Sequence, residues 1–313
     1  MTHTIKALLR LARYKEYSFF VTVTTLLGVA SANGHFGFRF GIILAANWLA
    51  VAFAFMINDV EDAPDDALNP LKVKRNPVSA GDLTPRTATL FSWMVALLSA
   101  ALYLLLGFWP AVLGLISLAL GYLYSWRFIR FKNMPFIDLA SHCMMLAGLQ
   151  FLPALLAFDP HPSLQWIFPF ALIVCISLYG ELFNELRDLD GDLVAGLNHT
   201  ASKLGYKPTY VIMMSLLVLG LVSAGITLFV LKIIPSWVEI TLAVLVVLFF
   251  IRPALKARRH KSALALQQSF QKPIEAAAAL ALMAQFVYPW LNPWINQWIS
   301  LINWGAILRL NLF

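Results

Sequence analysis

Long uninterrupted runs of apolar residues recur along the whole 313-residue chain, and they constrain its fold more than any other feature. A helix needs about 20 mostly apolar residues to cross the hydrocarbon core of a membrane. Hydrophobic residues make up 60% of the chain and charged residues 12%, whereas a soluble domain carries about 25% charged residues. The strands of a membrane barrel would instead alternate in segments of about ten residues. The sequence therefore predicts an all-α, polytopic membrane helix bundle.

Breaks between the apolar runs define about nine predicted transmembrane helices. They cover residues 17–32, 40–57, 87–107, 109–124, 136–157, 166–183, 208–231, 236–251 and 273–290. The aromatic tail at 290–313 is expected to be an interfacial helix or a tenth short span. A basic start followed by an apolar run also fits a cleaved signal peptide. Such cleavage would remove the first span and conflict with the charge distribution of the remaining connections.

Lysine and arginine are distributed unevenly over these connections. Of the 23, 20 fall in the N-terminal segment and in the second, fourth, sixth and eighth connections, and only Arg39, Lys232 and Arg309 fall on the opposite side. Positive charge accumulates on the cytoplasmic side of membrane proteins. The asymmetry supports nine spans, with the N-terminus and the basic connections in the cytoplasm.

Acidic residues are concentrated in two short stretches, each at the carboxyl end of a predicted span on the positive side. Ten of the 16 lie in residues 59–66 and 181–192. Both stretches carry the pattern N-x-x-x-D-x-x-x-D, formed by Asn58, Asp62 and Asp66 in the first and by Asn184, Asp188 and Asp192 in the second. Residues four apart lie on one face of a helix, so each set predicts a stripe of oxygen ligands. With four spans between them, the stripes indicate two halves that face each other across a cavity.

Stacked carboxylates repel one another, and a divalent metal offsets that cost. Magnesium prefers hard oxygen ligands and is usually held by one or two carboxylates together with substrate phosphate oxygens. Neither stretch has the spacing of a calcium-binding EF-hand loop. The pattern therefore predicts a Mg²⁺-bridged diphosphate. The alternative is two solvated helix ends, and Pro64 and Gly191 can each interrupt the helical geometry assumed here.

Basic residues near the acidic stretches are candidates for contact with phosphate oxygens. Lys74 and Arg75 follow the first stretch, and Lys203 follows the second. The fourth connection adds Arg130 and Lys132, in a segment that alternates basic and aromatic residues. Arginine offers a bidentate fork, which makes Arg75 the stronger candidate of its segment. For any single one of these cations, the alternative is contact with a lipid headgroup.

The remaining polar features exclude other classes of protein. The two cysteines, Cys143 and Cys175, fall in apolar runs, so we expect packed side chains and neither a disulfide framework nor a zinc site. The formal charge of +7 is dispersed between hydrophobic segments. Anionic lipid headgroups or a phosphorylated substrate explain this charge better than nucleic acid does, and no nucleic acid partner is expected.

On these residues the chain resembles the UbiA family of intramembrane prenyltransferases. Asn58, Asp59, Asp62 and Asp66 match the family's N-D-x-x-D-x-x-x-D motif, and Asp188 and Asp192 match its D-x-x-x-D motif. Residues 74–81 and 184–205 also look like family segments, and the likeness runs from about residue 13 to the end of the eighth span. One departure lies in the fourth connection, where Ser125-Trp126-Arg127-Phe128 follows Tyr124 in place of the family's Tyr-x-x-x-Lys. The roles of Tyr124, Arg130 and Lys132 are therefore open.

The resemblance implies a single domain over residues 1–313, with about nine helices around a central cavity. Its two pseudo-repeated halves would cover about 13–135 and 136–255, with C-terminal helices beyond. The implied cofactor is Mg²⁺, and the implied partners are a prenyl diphosphate donor, a hydrophobic or aromatic acceptor and the lipid bilayer. The candidate catalytic residues are Asn58, Asp62, Asp66, Asn184, Asp188 and Asp192; the candidate metal ligands are Asp59, Asp62, Asp66, Asp188 and Asp192; the candidate diphosphate ligands are Lys74, Arg75, Tyr124, Arg130, Lys132 and Lys203.

Three other activities are open at this stage. Terpene cyclases and transferases that move a phosphoribosyl group onto a lipid phosphate use related scaffolds. An ion-coupled transporter is the more distant alternative, because intramembrane carboxylates often mark ion routes. A transporter is expected to carry charged residues near the centre of a transmembrane span. Asp138 and His142 meet this expectation only weakly, because they lie at the start of the fifth predicted span.

Overall fold

The protein is a bundle of long helices. The structure is a computed structural model, and it describes residues 2–68, 70, 72–194, 196–257 and 263–301. The helices are α1 (Thr2–Leu11), α2 (Tyr14–Ser31), α3 (Phe38–Asp66), α4 (Pro85–Leu104), α5 (Phe108–Ser125), α6 (Ile137–Phe158), α7 (Ile167–Val194), α8 (Thr200–Leu204), α9 (Tyr206–Val230), α10 (Ser236–Ala257) and α11 (Ala263–Leu301). All regular structure in these residues is helical, apart from short turns of 3₁₀-helix, which confirms the predicted all-α membrane bundle.

Seven of the described helical segments are long and apolar enough to cross a membrane. They are Phe38–Asp66, Pro85–Leu104, Phe108–Ser125, Ile137–Phe158, Leu164–Leu193, Tyr206–Val230 and Gln271–Trp294. The first and eighth predicted spans coincide with α2 and α10, of which α10 contributes a shorter apolar stretch, Ser236–Phe249. The count of nine spans therefore stays a prediction. Of the predicted C-terminal tail, residues 302–313 lie outside the described residues.

Two helices continue beyond the ends of their predicted spans. α3 runs through the first acidic stretch to Asp66, and α7 runs through the second to Val194. Pro64 lies two residues before the last residue of α3, and Gly191 lies in the last turn of α7. Pro64 lacks a backbone N–H and therefore removes one hydrogen bond of the helix, but α3 continues past it to Asp66. Both acidic stretches are thus helical, which is the geometry that the four-residue spacing assumed.

A polar network in the middle of the bundle joins four long helices. Asn47 of α3 donates its amide to Thr25 Oγ1 of α2 and to the Gln150 carbonyl of α6, both at 2.7 Å. Tyr103 of α4 donates its hydroxyl to Asn47 Oδ1 at 2.6 Å. Asn47, Tyr103 and Gln150 are fully buried. Because unpaired polar groups are costly in lipid, such bonds fix how the helices pack.

Helix α6 contains one wide turn of π-helix at Met144–Gly148, at the level of the cavity described below. The Gln150 side chain donates to the Met145 carbonyl at 2.8 Å, so it satisfies an acceptor that this turn frees. Gly28 of α2 lies against α6, where a Cβ atom would come 2.6 Å from the Phe151 carbonyl. Cys143 and Cys175 are both buried.

Candidate functional site

Both acidic stretches line one cavity of about 1530 Å³. Its polar lining includes Asn58, Asp62, Asp66, Arg75, Tyr124, Arg130, Lys132, Asn184, Asp188 and Asp192, which are all residues that the sequence analysis selected. Phe55, Met145, Leu146 and Ile176 supply part of its apolar lining. The cavity therefore joins a charged region to a hydrophobic region.

The carboxylate of Asp62 faces two cations from the connection between α5 and α6. Arg130 Nη2 donates to Asp62 Oδ1 at 3.0 Å and to Asp65 Oδ2 at 2.8 Å, and Lys132 Nζ donates to Asp62 Oδ2 at 2.5 Å. Burial lowers the pKa of Lys132 more than the neighbouring Asp62 raises it. Burial also opposes the charge on Arg130, but its hydrogen bonds to Asp65 and Asp62 raise the pKa of Arg130 overall. The first stripe is thus paired with positive charge that a diphosphate could share.

Asn76 holds the end of the first acidic stretch in place. Its side-chain amide donates to Asp66 Oδ2 at 3.0 Å and to the Asp59 carbonyl at 2.7 Å. Its own oxygen accepts from the backbone N–H of Val78 at 3.0 Å. Asn76 is fully buried. The loop that follows α3 is therefore fastened to the carboxylate of Asp66, which it orients.

Asp59 lies behind the cavity wall rather than in it. It is fully buried, and its Oδ1 accepts from Arg13 Nη1 at 3.2 Å. Arg13 also pairs with Glu16 and lies 4.8 Å over the ring of Phe55. Arg13 itself lines the cavity, whereas Asp59 is not among its lining residues. The arrangement places Asp59 as the partner that fixes Arg13.

The second stripe carries its own cation on the same helix. Arg187 donates to both carboxylate oxygens of Asp188, at 2.8 and 2.5 Å, and to Asn184 Oδ1 at 3.1 Å. Asp188 and Asn184 are exposed. Since this pairing is solvated, it contributes little to stability and can be exchanged for a ligand.

His199 links the last acid of the second stripe to a buried glutamate. Its Nε2 lies 3.2 Å from Asp192 Oδ2 and its Nδ1 lies 3.2 Å from Glu185 Oε2. The contact with Glu185 is the main reason that the pKa of His199 is raised, with a smaller contribution from Asp192. Glu185 Oε2 also accepts from the Ala201 N–H at 2.8 Å. The loop after α7 is therefore fixed against the helix that carries the stripe.

Asp138, Glu185 and His199 form a buried cluster whose ligand atoms lie within 4.8 Å of one another. The oxygens of Asp138 accept from the Thr200 N–H and hydroxyl, both at 2.6 Å. Backbone and hydroxyl donors thus compete with a metal ion for these oxygens. Through these hydrogen bonds, the cluster connects the start of α8 to α6 and α7.

Three of the predicted site residues lie away from the cavity lining: Asp59, Lys74 and Lys203. Lys74 is exposed, and Lys203 is exposed with its Nζ 5.8 Å from the centre of the Phe136 ring. Asn58 lines the cavity and donates its amide to Ser125 Oγ at 3.0 Å. The proposed roles of all these residues stay predictions.

The structure adds lining residues that the sequence analysis did not assign to the site. They are Arg13, Lys72, His142, Glu181, Glu185, Arg187 and His199. Glu181 and Glu185 belong to the second acidic stretch, but the four-residue spacing pointed to the aspartates. Arg13 was counted only as a cytoplasmic charge, because nothing in a sequence shows that residue 13 contacts residue 59.

The donor set fits magnesium. Asp62, Asp66, Asp188 and Asp192 present carboxylate oxygens to the same cavity. These are the hard ligands that Mg²⁺ prefers, and the ion normally completes its shell with water and phosphate oxygens.

Comparisons with known proteins agree on one family. A model of the UbiA prenyltransferase family matches residues 20–272. The lycopene elongase/hydratase of Haloarcula japonica is 29% identical over 216 residues, which cover 65% of this chain and 68% of the relative. The digeranylgeranylglyceryl phosphate synthase of Methanopyrus kandleri is 28% identical over 159 residues, which cover 50% of this chain and 55% of the relative.

A solved structure shows the same fold. The UbiA homolog from Archaeoglobus fulgidus bound to GPP and Mg²⁺ superimposes with a TM-score of 0.62 at 20% sequence identity. The match covers 90% of this chain and 99% of that one. The arrangement of helices around the cavity is therefore shared with that protein.

Proposed function

The chain belongs to the UbiA prenyltransferase family and is a multi-pass membrane enzyme that transfers prenyl groups; from this premise we propose that it ionises a prenyl diphosphate with the help of Mg²⁺. The prenyl group then passes to a hydrophobic or aromatic acceptor. The observation that carries the proposal is that Asp62 and Asp66 of α3 line the same cavity as Asp188 and Asp192 of α7. The Archaeoglobus fulgidus homolog with GPP and Mg²⁺ supports both the donor class and the metal.

The four aspartates would hold the metal, and the neighbouring cations would bind phosphate oxygens directly. Mg²⁺, when bound, neutralises charge that grows on the departing diphosphate. Lys132 and Arg130 already lie at the Asp62 carboxylate, and Arg187 lies at Asp188. Preorganised positive charge stabilises the leaving group most strongly where water is scarce.

The apolar part of the cavity would protect the prenyl group from water. Loss of diphosphate leaves an allylic cation, which water would quench. Phe55, Met145 and Ile176 line this region and would exclude water around the prenyl chain. The aromatic ring of Tyr124 also lines the cavity and can face a cation, an interaction that contributes about 0.5–2 kcal/mol.

We also propose that the cavity mouth faces the cytoplasm. The two acidic helix ends and the cations that pair with them lie in the N-terminal segment and the even-numbered predicted connections, which carry most of the lysine and arginine. The positive-inside distribution supports this orientation. Accessibility labelling of single cysteines at Lys74 and Lys232 in sealed vesicles tests it, because the two positions should react from opposite sides.

Purified protein incubated with Mg²⁺ and donors of graded chain length tests the activity. The acceptor panel contains quinoid, phenolic, carotenoid and glycerolipid compounds, and products are read by mass spectrometry. A prenylated acceptor and released diphosphate are expected. Consumption of donor into a cyclic product without acceptor, use of a phosphoribosyl donor, or ion flux without diphosphate release would contradict the proposal.

A further inference from the structure

His142 and Glu181 form a pair in the cavity that the binding of diphosphate does not require. His142 Nε2 lies 3.4 Å from Glu181 Oε2, and the two side chains are 17% and 15% exposed. His142 lies on α6, two residues before the π turn begins, and Glu181 lies on α7. Both residues line the cavity. The metal-binding aspartates Asp62 and Asp188 pair with lysine or arginine, whereas this acid pairs with a histidine.

The pair lies deeper in the cavity than the proposed metal ligands. Glu181 precedes Asp188 by seven residues, which corresponds to two helical turns, nearly the same helix face and about 10 Å along the axis. Asp188 is near the open end of α7, so Glu181 lies toward the middle of the membrane. A prenyl diphosphate held by its phosphates at the aspartates would place its C1 carbon on the side that faces Glu181.

The surroundings of the pair suit proton transfer at a protected position. Met145 and Leu146 line the adjacent wall, and the Tyr124 ring lies 6.2 Å from the His142 ring, centre to centre. In the part of the chain that the structure describes, His142 Nδ1 is buried and has no hydrogen-bond partner. Nδ1 therefore makes no contact that competes with the one between Nε2 and the Glu181 carboxylate. The histidine is thus placed to position the Glu181 carboxylate.

We propose that Glu181 is the base that accepts the acceptor's proton, and that His142 is the residue that positions it. The inference rests on the proposed function. When the C1–O bond of the donor breaks, its electron pair leaves with diphosphate. A new bond then joins C1 to a hydroxyl oxygen or an aromatic carbon of the acceptor, and the hydrogen of that atom leaves as a proton; with an alkene acceptor, the bond leaves a cation on the neighbouring alkene carbon, and the proton leaves from a carbon next to that cation. Glu181 takes this proton on a carboxylate oxygen and returns it to water as the product leaves.

Glu181→Gln separates this step from ionisation of the donor, because the amide keeps the shape of the side chain and cannot take a proton. The probes are geranyl diphosphate with Mg²⁺ and a panel of three acceptors: a prenylglyceryl phosphate, a phenol and lycopene. Diphosphate release and prenylated product are measured together. We expect diphosphate release to stay within about threefold of wild type while product per diphosphate falls about a hundredfold, since general-base catalysis typically contributes 10²–10⁴-fold.

Asp190→Asn is the matched control, because Asp190 is an exposed acid of the same helix that is not among the lining residues of the cavity. Its ratio of product to diphosphate should equal that of wild type. His142→Gln should lower the ratio by a smaller factor, and Glu181→Asp should restore part of it. If Glu181→Gln unfolds below the assay temperature, His142→Gln replaces it in the test. A fall in its ratio of product to diphosphate then supports the inference, and an unchanged ratio contradicts it.

Two results would overturn the inference. An unchanged ratio in Glu181→Gln would show that the diphosphate or another group takes the proton. Equal loss of diphosphate release and product, in a variant that melts like wild type, would place Glu181 in ionisation instead. A wild-type enzyme that releases no diphosphate would contradict the proposed function itself, and this inference with it.

Discussion

The side-chain amide of Asn76 lies 3.0 Å from Asp66 Oδ2 and 2.7 Å from the Asp59 carbonyl. One buried residue of a loop thus fixes the last carboxylate of the first stripe and binds the backbone of the helix that bears it. The loop residue is ten positions from Asp66, so the connection after α3 folds back onto the acidic end of the helix.

Replacement of Asn76 by Ala should weaken magnesium binding. The carboxylate of Asp66 would lose the donor that orients it, and we expect the Mg²⁺ concentration for half-maximal diphosphate release to rise about tenfold. Leaving the buried Asp59 carbonyl without this donor should also cost about 1–3 kcal/mol of stability. A magnesium titration of activity and a thermal melt measure the two effects. Asn198→Ala, at an exposed loop position, serves as the control, and an unchanged magnesium response in Asn76→Ala would refute the assigned role.

Lys132→Met should raise KM for the donor. Lys132 is a partly buried cation on Asp62, and a charge-assisted hydrogen bond contributes about 1.5–3 kcal/mol, or roughly 10- to 150-fold in binding. Steady-state kinetics with geranyl diphosphate measure the change. Lys207→Met removes an exposed lysine of α9 that is not among the lining residues of the cavity, and it should alter KM less than twofold. Equal effects of the two substitutions would indicate a general loss of positive charge rather than a specific contact.

The sequence predicted the part of the site that local spacing encodes. Asn58, Asp62 and Asp66 repeat every four residues on one continuous helix, and so do Asn184, Asp188 and Asp192. Because the helical period alone determines which residues share a face, the two stripes were accessible without coordinates. The membrane class followed in the same way from the length of the apolar runs.

Contacts between residues that are far apart in the chain could not be predicted from the sequence. Arg13 reaches Asp59 across 46 residues, and Asp138 reaches Thr200 across 62. Such contacts depend on how helices pack in three dimensions, and a single sequence carries no periodic signal for them. The amphipathic helix α1 was also missed, since ten residues are too few to register as a span.

Thr200→Val should destabilise the loop that follows α7. The hydroxyl donates to Asp138 Oδ1 at 2.6 Å and accepts from the Phe136 N–H at 2.7 Å. Loss of both bonds in a buried setting should cost about 1–3 kcal/mol. A thermal melt in detergent measures this cost. Thr241→Val, at a partly exposed position of α10 where the hydroxyl bonds only to a carbonyl of its own helix, should leave the melting temperature nearly unchanged. If Thr200→Val and Thr241→Val have equal melting temperatures, the hydrogen bonds of the Thr200 hydroxyl do not stabilise the loop.

Metal and donor should stabilise the protein only together. Ligands that bind the folded state raise its stability in proportion to RT ln(1 + [L]/Kd). Because the aspartates repel the phosphates until Mg²⁺ bridges them, geranyl diphosphate with Mg²⁺ should raise the melting temperature. The same donor in the presence of a chelator should not. An equal rise with the chelator present would mean that Arg130, Lys132 and Arg187 suffice to bind the donor.

We propose above all that the aspartates of α3 and those of α7 hold one diphosphate through shared Mg²⁺. The most direct measurement is a calorimetric titration of a donor into variants that lack one or both of these sets of ligands. Non-hydrolysable geranyl diphosphate is titrated into wild type, Asp62→Asn, Asp188→Asn and the double variant, with and without Mg²⁺. Each single substitution should abolish most of the magnesium-dependent gain in affinity, and the double variant should be little worse than either. Wild-type magnesium dependence in one of the single variants, or losses that simply add in the double variant, would show that the two stripes do not share a ligand.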